Sequence, residues 1–219
     1  MHALLPRIAF HVTGFGAFGT TDRIEVNPSA RLVETLPDSL AQRPLPAHVR
    51  IASARVLRVA GRSAAAAVAT LPCDGEEEAG DMSICVHVGV HGHTKSFLLE
   101  RCAWNEASFR DADEDGWTPR AMRVLLDEPL GACLSTDVPV AALAEALSSL
   151  GFPTAVSEDP GRYVCNFLYC AALKAASRAQ SSMPTLFVHI PTLDVCPLPE
   201  QQRFLCALLH ELAAQYSSR

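Results

Sequence analysis

GFPTAVSEDPGRYVCNFLYCAALKAASRA, residues 151–179, is the stretch that decides the fold. A short β-prone run, PTAVSE, leads through a proline–glycine turn into a predicted helix that starts at Cys165. The run TLFVHIP at 185–191 then predicts another strand, and residues 199–215 predict another helix. Strands that alternate with helices are typical of a largely parallel sheet that is covered on both faces.

The preceding part of the chain shows the same alternation of strands and helices. Strands are predicted over 7–13, 49–57 and 82–90, and helices over 29–36, 61–71 and 138–150. The first of these helices is expected to have Asn27 as its N-cap and Pro28 at its first helical position, and to close at Pro37. We therefore predict an α/β fold with an open twisted, largely parallel sheet and helices on both faces. Because composition nowhere shifts as it would at a linker, residues 1–219 are expected to form a single domain.

Composition and charge exclude several classes of partner. The net charge is −6 and the 18 basic residues are scattered, so we expect no nucleic-acid partner. The apolar run SAAAAVATL is too short to span a bilayer, and the N-terminal residues lack the pattern of a secretory leader. The eight cysteines form no C-x-x-C pair, so reduced thiols and a cytoplasmic location are expected.

Cys165 is the first candidate for chemistry. It lies at the predicted start of a helix, where unpaired N–H groups and the helix dipole favour a negative charge and hence a thiolate. A free cysteine is, however, more often a small buried hydrophobic residue. Position alone leaves both interpretations open.

His189 and Glu100 are the residues that favour catalysis. His189 lies at the carboxyl end of a predicted buried strand, one strand after the Cys165 helix, so we expect both side chains at one edge of the sheet. A thiol and an imidazole together form the nucleophile and base of acyl transfer. Glu100 is a candidate to orient the histidine. The alternatives are a core histidine bound to backbone and a solvated glutamate.

Residues 14–19, GFGAFG, match the G-x-G-x-x-G pattern of dinucleotide-binding proteins. An NAD(P)-binding oxidoreductase is therefore an alternative hypothesis. Two observations disfavour this hypothesis. The helix begins only at Asn27, and the second strand ends at Val56-Leu57-Arg58, with no acidic residue to bind the ribose of a dinucleotide. We expect no cofactor.

Two further patterns resemble metal-binding sites, but both matches are weak. Residues 111–116 begin like a calcium loop, but the twelfth position holds Met122 instead of glutamate, so the charges of this loop are expected to be solvated. His87 and His91 would be roughly 13 Å apart on an extended strand. We expect no metal.

Four segments taken together resemble the pyroglutamyl-peptidase I family, also called pyrrolidone-carboxylate peptidases. They are GFGAFG with VNPS, HVGVHG with LLERCAWN, SEDPGRYVCN, and LFVHIP, in the family's order. The resemblance implies a cysteine exopeptidase, or omega peptidase, that removes N-terminal pyroglutamate through a thioacyl intermediate. It also implies an α/β/α sandwich, no metal, a homo-oligomer such as a dimer or tetramer, and the catalytic residues Glu100, Cys165 and His189.

The same resemblance implies a set of substrate-binding residues, namely Phe15, Phe18, Asn27, Tyr163, Val164 and Arg110. Aromatic faces with a few amide partners suit the neutral lactam ring of pyroglutamate. The sequence departs from the family at Val90 and Pro160, which leaves the ring's amide contacts open. A catalytically silent member that binds blocked peptides is the remaining alternative.

Overall fold

The computed structural model describes residues 5–19, 24, 26–70, 81–178 and 183–217 of the chain. The strands in these residues are β1 (Arg7–Phe15), β2 (Val49–Leu57), β3 (Asp81–Val90), β4 (Phe97–Glu100), β5 (Cys102–Trp104), β6 (Cys133–Ser135), β7 (Thr154–Ser157) and β8 (Thr185–Ile190). The helices in the same residues are α1 (Pro28–Glu34), α2 (Leu36–Gln42), α3 (Gly61–Ala69), α4 (Val140–Ser149), α5 (Val164–Arg178) and α6 (Leu198–Ser217).

Six strands form the central sheet in the order β2-β1-β3-β8-β4-β7. The strands β2, β1, β3 and β8 are parallel to one another. Strand β4 runs antiparallel to β8, and β7 runs parallel to β4. Strands β5 and β6 form a separate antiparallel pair. The prediction of an α/β fold with a largely parallel sheet is confirmed.

Helices cover both faces of this sheet because each central strand is apolar on both sides. Strand β8 is buried along its whole length. Leu186, Val188 and Ile190 pack in one cluster with α1, α4 and α6, whereas Phe187 packs in a second cluster with α3 and α5. Since side chains alternate along a strand, His189 faces the same side as Phe187. The site described below lies on this α3/α5 face.

The structure corrects the predicted end of the first helix. The Asn27 side chain caps α1 as expected, with Pro28 in its first turn. Helix α1, however, ends at Glu34, and Pro37 lies in the first turn of the next helix, α2. A proline is tolerated in a first turn because the N–H group that it lacks would have no partner within the helix. Pro37 therefore belongs to a helix start, and the expectation that it closes a helix was wrong.

The cysteines of the described residues are all free thiols; they number seven. Cys73, the eighth, lies outside the described residues. Among the described helices, none has both the length and the hydropathy that a membrane crossing requires.

Candidate active site

His189 and Glu100 form a buried pair across two neighbouring strands. In the antiparallel register of β4 and β8, Leu98 lies opposite His189 and Glu100 lies opposite Phe187. Glu100 is therefore diagonal to His189 on the same face of the sheet. Its Oε1 lies 2.7 Å from His189 Nδ1, and the two side chains are 0% and 3% exposed. The imidazole can thus donate its Nδ1–H to a carboxylate that water does not reach.

Cys165 is the second residue of α5, whose first turn follows the Pro160-Gly161 turn. The thiol is half-buried. Burial by itself would lower the pKa of His189, but hydrogen bonding and charge from the neighbouring Cys165 and Glu100 outweigh it and raise the pKa from 6.5 to about 9. The folded chain therefore keeps His189 able to hold a proton beside the thiol at neutral pH.

Gly89 makes room for this thiol at the carboxyl end of β3. A Cβ atom at position 89 would lie 3.0 Å from Cys165 Sγ and 2.8 Å from Cζ of the buried Phe187. Both distances are well inside ordinary contact distance. The sulfur atom is therefore packed directly against the backbone of β3, at the residue that pairs with His189.

The route by which Cys165 reaches His189 differs from the predicted one. We expected β7 and β8 to be parallel neighbours whose carboxyl ends share an edge. Strand β4 lies between them, and β7 runs in the direction opposite to β8. The residues between β7 and α5 carry the chain back toward the carboxyl end of β8, where Cys165 and His189 line the same cavity.

The cavity has a volume of about 770 Å³ and contains nearly all of the predicted site residues. Those that line it are Phe15, Phe18, Asn27, Arg110, Tyr163, Val164, Cys165 and His189. Glu100 is absent from this wall because it lies behind His189. One end of the cavity is apolar, because Phe15 and Val59 belong to one packed cluster, Phe18 packs against it, and Ile24 is bonded to Phe18.

The chain matches the family model for pyroglutamyl peptidase over residues 9–203. It belongs to the pyroglutamyl peptidase family. The pyrrolidone-carboxylate peptidase of Alkaliphilus oremlandii is 30% identical over 186 residues, which cover 83% of this chain and 78% of that protein. The one from Thermosipho africanus is 29% identical over 182 residues and covers 83% and 80% of the two chains.

Solved structures of the family share the fold. Pyroglutamyl peptidase I of Bacillus amyloliquefaciens superposes with a TM-score of 0.79 at 24% identity, covering 94% of this chain and 97% of that one. The pyrrolidone carboxyl peptidase of Thermococcus litoralis gives a TM-score of 0.79 at 21% identity and covers 96% and 95%. At these identities the likeness concerns the α/β/α architecture.

In this pyroglutamyl peptidase family member, the aromatic residues of the first loop take up different positions. Phe15 ends β1 and is almost fully buried, with its ring centroid 6.4 Å from that of Phe187. Phe18 is only partly buried and exchanges two backbone hydrogen bonds with Ile24. Phe15 therefore forms a fixed floor at the apolar end of the cavity, while Phe18 stands at its edge.

Asn27 lines the cavity, but most of its hydrogen-bonding capacity is used within the protein. Its Oδ1 accepts hydrogen bonds from the backbone N–H and the hydroxyl of Ser29, at 3.1 and 2.9 Å. Its Nδ2 donates to the Gly16 carbonyl at 2.9 Å. One amide hydrogen remains beyond these bonds. Asn27 thus ties the first loop to α1 and has a single donor left for a ligand.

Tyr163 and Val164 contribute to the cavity wall just before the nucleophile. The Tyr163 hydroxyl donates to the Ala112 carbonyl at 3.2 Å, and its ring packs edge-on against Phe109 at 4.7 Å. The Val164 side chain is fully buried. These contacts fix the backbone of the two residues in front of Cys165.

Arg110 is placed at the rim of the cavity. Its side chain is 95% exposed and forms an ion pair with the neighbouring Asp111 at 3.3 Å. An exposed pair of this kind contributes little to stability. The structure therefore brings Arg110 to the cavity without fixing its guanidinium near Cys165.

The loop after Arg110 is held in place by a residue that the sequence analysis missed. Asp113 is only 5% exposed, whereas the charges of this loop were expected to be solvated. Its carboxylate accepts hydrogen bonds from the N–H groups of Gly61, Asp115 and Trp117. It therefore caps α3 and orders its own loop at once, which explains the calcium-like spacing without an ion. In the sequence this role is indicated only by the spacing of Asp113 and Asp115, which is typical of a turn in which an aspartate accepts a backbone N–H two residues on. That indication is weak.

Asn166 is a second residue that the sequence did not reveal. It follows the nucleophile, is fully buried, and accepts a hydrogen bond from the Trp104 N–H at 2.8 Å. Its amide donates to the carbonyls of Trp104 and Glu106, each at 2.9 Å. The first turn of α5 is thereby clamped to the segment after β4, which carries Glu100.

The glycine-rich loop and the histidines have structural explanations. A Cβ at Gly14 would lie 2.2 Å from the Ser29 carbonyl oxygen, so this glycine allows β1 and α1 to pack closely. Nothing in that contact requires a dinucleotide. His87 is fully buried and hydrogen-bonds through Nδ1 to the Thr13 hydroxyl at 2.8 Å, and burial followed by the nearby His11 lowers its pKa to about 3. Within the described residues, no group of three or more His, Cys, Asp and Glu side chains could hold a metal ion.

Proposed function

We propose that this chain is a cysteine exopeptidase that hydrolyses the amide bond after an N-terminal pyroglutamyl residue. The observation that carries the proposal is the buried pair of Glu100 and His189, joined to the thiol of Cys165 at the wall of a cavity with an apolar end. Membership of the pyroglutamyl peptidase family supports the same activity. In this proposal Cys165 is the nucleophile, His189 the general base and acid, and Glu100 the residue that orients His189.

In the first half of the reaction, the Cys165 thiolate, whose proton is held by His189, attacks the pyroglutamyl carbonyl carbon and forms a C–S bond. The tetrahedral intermediate collapses as the C–N bond breaks, and His189 passes the proton to the departing amine. In the second half, His189 takes a proton from water, which attacks the thioester. The C–S bond then breaks, pyroglutamate leaves, and the sulfur departs as a thiolate while His189 keeps the proton taken from water. The proton transfers and the nucleophilic attack in this cycle rely on the side chains of Cys165 and His189, so the proposed chemistry needs neither a metal nor a cofactor.

Backbone N–H groups supply the proposed oxyanion site. The first N–H groups of a helix have no partner within the helix, and Cys165 lies in the first turn of α5. A carbonyl carbon attacked by Cys165 would place its oxygen close to these donors. In related sites one such donor contributes about 3 kcal/mol to the stability of the transition state. The exposed guanidinium of Arg110 remains a candidate for an additional contact.

The cavity also suits the proposed lactam substrate. The pyroglutamyl ring is neutral and flat, and at the apolar end it would contact Phe15 and Phe18. The one acidic residue among the described lining residues is Asp111, which pairs with Arg110, so no carboxylate is placed to bind a free α-ammonium group. The remaining amide hydrogen of Asn27 and the backbone around Tyr163 and Val164 are the proposed partners of the ring amide.

We also propose that the chain forms a homo-oligomer, either a dimer or a tetramer, and that it is located in the cytoplasm. The free thiols of the described cysteines are compatible with a reducing compartment. Light scattering coupled to size-exclusion chromatography measures the mass of the assembly, and a monomer at micromolar concentration would contradict the proposed oligomer.

The proposed activity is tested with a pyroglutamyl arylamide that releases a fluorescent amine. We expect turnover by the parent protein, loss of turnover in Cys165→Ala, and little change in Cys133→Ser, which removes an exposed thiol. Cleavage that persists in Cys165→Ala would contradict the mechanism. Absence of turnover in a folded parent, together with binding of a pyroglutamyl peptide, would point to the silent binder instead.

A further inference from the structure

His91 is an imidazole at the cavity that the reaction above does not use. It directly follows β3 and lines the cavity, where it is half-buried. Its backbone N–H donates to the Ile190 carbonyl at 2.9 Å, which holds the end of β3 against the end of β8. The position of His91 is therefore fixed relative to His189, the neighbour of Ile190.

The ring of His91 packs against the ring of His189. The two centroids are 5.4 Å apart and the planes meet at 74°, an edge-on contact. The ring of Phe187 makes a second contact with His189, at 4.9 Å and 55°. Contacts of this kind between aromatic rings are stabilising. Glu100 fixes one ring nitrogen of His189, and these two rings restrict the plane in which the imidazole can lie.

The contacts of His91 favour its neutral form. The backbone N–H of His93 donates to His91 Nδ1 at 3.3 Å, so this nitrogen carries a lone pair and the proton lies on Nε2. Among the described residues, the titratable groups whose charges act on His91 are His189 on β8, Glu100 on β4 and His93 from its own turn. Burial, followed by repulsion from His189, lowers the pKa of His91 below 6.5 despite the attraction of Glu100.

We propose that His91 is a positioning residue for His189, which rests on the peptidase reaction proposed above. As a neutral ring it holds the His189 imidazole in line with Cys165. Once protonated, it loses the bond from His93 and places a second positive charge beside the protonated His189. Activity then falls at acid pH for a reason separate from protonation of the thiolate.

The test compares the pH profiles of kcat/KM and kcat for the parent, His91→Ala and His91→Phe. In His91→Ala, which lacks the ring, we expect kcat to fall about two- to tenfold at the optimum while KM stays within about twofold. His91→Phe keeps a ring but cannot titrate. On the acid side of the optimum, a plot of log(kcat/KM) against pH should approach a slope of about one for His91→Phe. The same slope should approach about two for the parent, because two protonations reduce its activity. His210→Gln, which alters a histidine on α6 that hydrogen-bonds to backbone carbonyls, is the matched control.

A second readout separates this inference from the proposed activity. The rate at which iodoacetamide alkylates Cys165, followed by intact mass against pH, requires no peptide cleavage. If the parent cleaves no pyroglutamyl arylamide but His91→Ala changes this alkylation profile, the proposed activity fails and the positioning role stands. The positioning role is refuted if the parent cleaves the arylamide and both His91 variants keep the parent's kcat, the acid limb of its pH profile and its alkylation profile. Circular dichroism confirms that each variant is folded, and His91→Gln replaces any variant that is not.

Discussion

Replacement of Gly89 by alanine tests the geometry at the centre of the site. The added methyl carbon would lie 2.8 Å from Phe187 Cζ and 3.0 Å from Cys165 Sγ. Carbon atoms prefer separations of about 3.5–4.0 Å, so the neighbours must retreat by roughly 0.5–1 Å. Phe187 lies in the core and is fully buried. The half-buried thiol is the neighbour with more room to move, and it would move away from His189.

Both activity and stability should respond to this displacement. A shift of about 1 Å in a reacting group can cost about 100-fold in rate, so we expect kcat/KM on the pyroglutamyl arylamide to fall by about that factor. Overpacking of a core costs about 1–3 kcal/mol, which for a chain of this length corresponds to a fall in Tm of about 2–12 °C. Steady-state fluorescence and thermal unfolding by circular dichroism measure the two effects.

Gly92→Ala is the matched control for this experiment. Gly92 lies three residues further along, at the rim of the cavity, and a Cβ there meets no heavy atom within 4 Å. We expect its Tm to be unchanged and its kcat/KM to stay within about threefold of the parent. If Gly89→Ala kept kcat/KM within twofold of the parent, the thiol could not be held between β3 and His189.

Three further changes probe the surroundings of the thiol. The alkaline limb of kcat/KM should lie near pH 9, because the raised pKa of His189 keeps its proton in place below that pH and releases it above; a limb near pH 6.5 would contradict the hydrogen bonds assigned to His189. Glu100→Gln should lower kcat by at least about 100-fold and move that limb to lower pH, since the carboxylate helps to hold the proton; an unmoved limb in a pH titration would exclude this role. Asp113→Ala should lower the free energy of unfolding by about 1–3 kcal/mol in urea titrations, because three N–H groups lose their acceptor. The control Asp111→Ala, at an exposed residue, should change it by less than about 0.5 kcal/mol. Equal effects would show that Asp113 contributes no more than a surface charge.

The order of strands and helices could be predicted from the sequence because it depends on local patterns. The alternating run over 49–57 predicts β2, and the β2 of the structure has the same bounds. The helix predicted over 138–150 agrees with α4 to within two residues at either end. In both segments periodicity, proline and glycine act within a few residues of the feature that they determine.

Pairing between distant strands could not be predicted in the same way. The sequence over residues 96–109 indicates an extended or mixed segment, but nothing in FLLE predicts that β4 enters the sheet between β8 and β7 or that it runs antiparallel to β8. The burial of Asp113 was missed for a related reason. Its three N–H partners include Gly61, which is 52 residues away, and no local pattern records such a contact.

The reversed direction of β4 has a consequence for the proposed catalyst. If β4 ran parallel to β8, its carboxyl end would lie level with His189 at the cavity, where water could reach a carboxylate. Because β4 runs antiparallel, its last residue, Glu100, lies opposite Phe187, one layer of side chains below the cavity. The carboxylate is fully buried. Its Oε1 bonds to His189, and its Oε2 has no hydrogen-bond partner among the described residues. A buried carboxylate without further partners is costly unless a positive charge faces it, so the fold itself favours a protonated His189 beside Cys165.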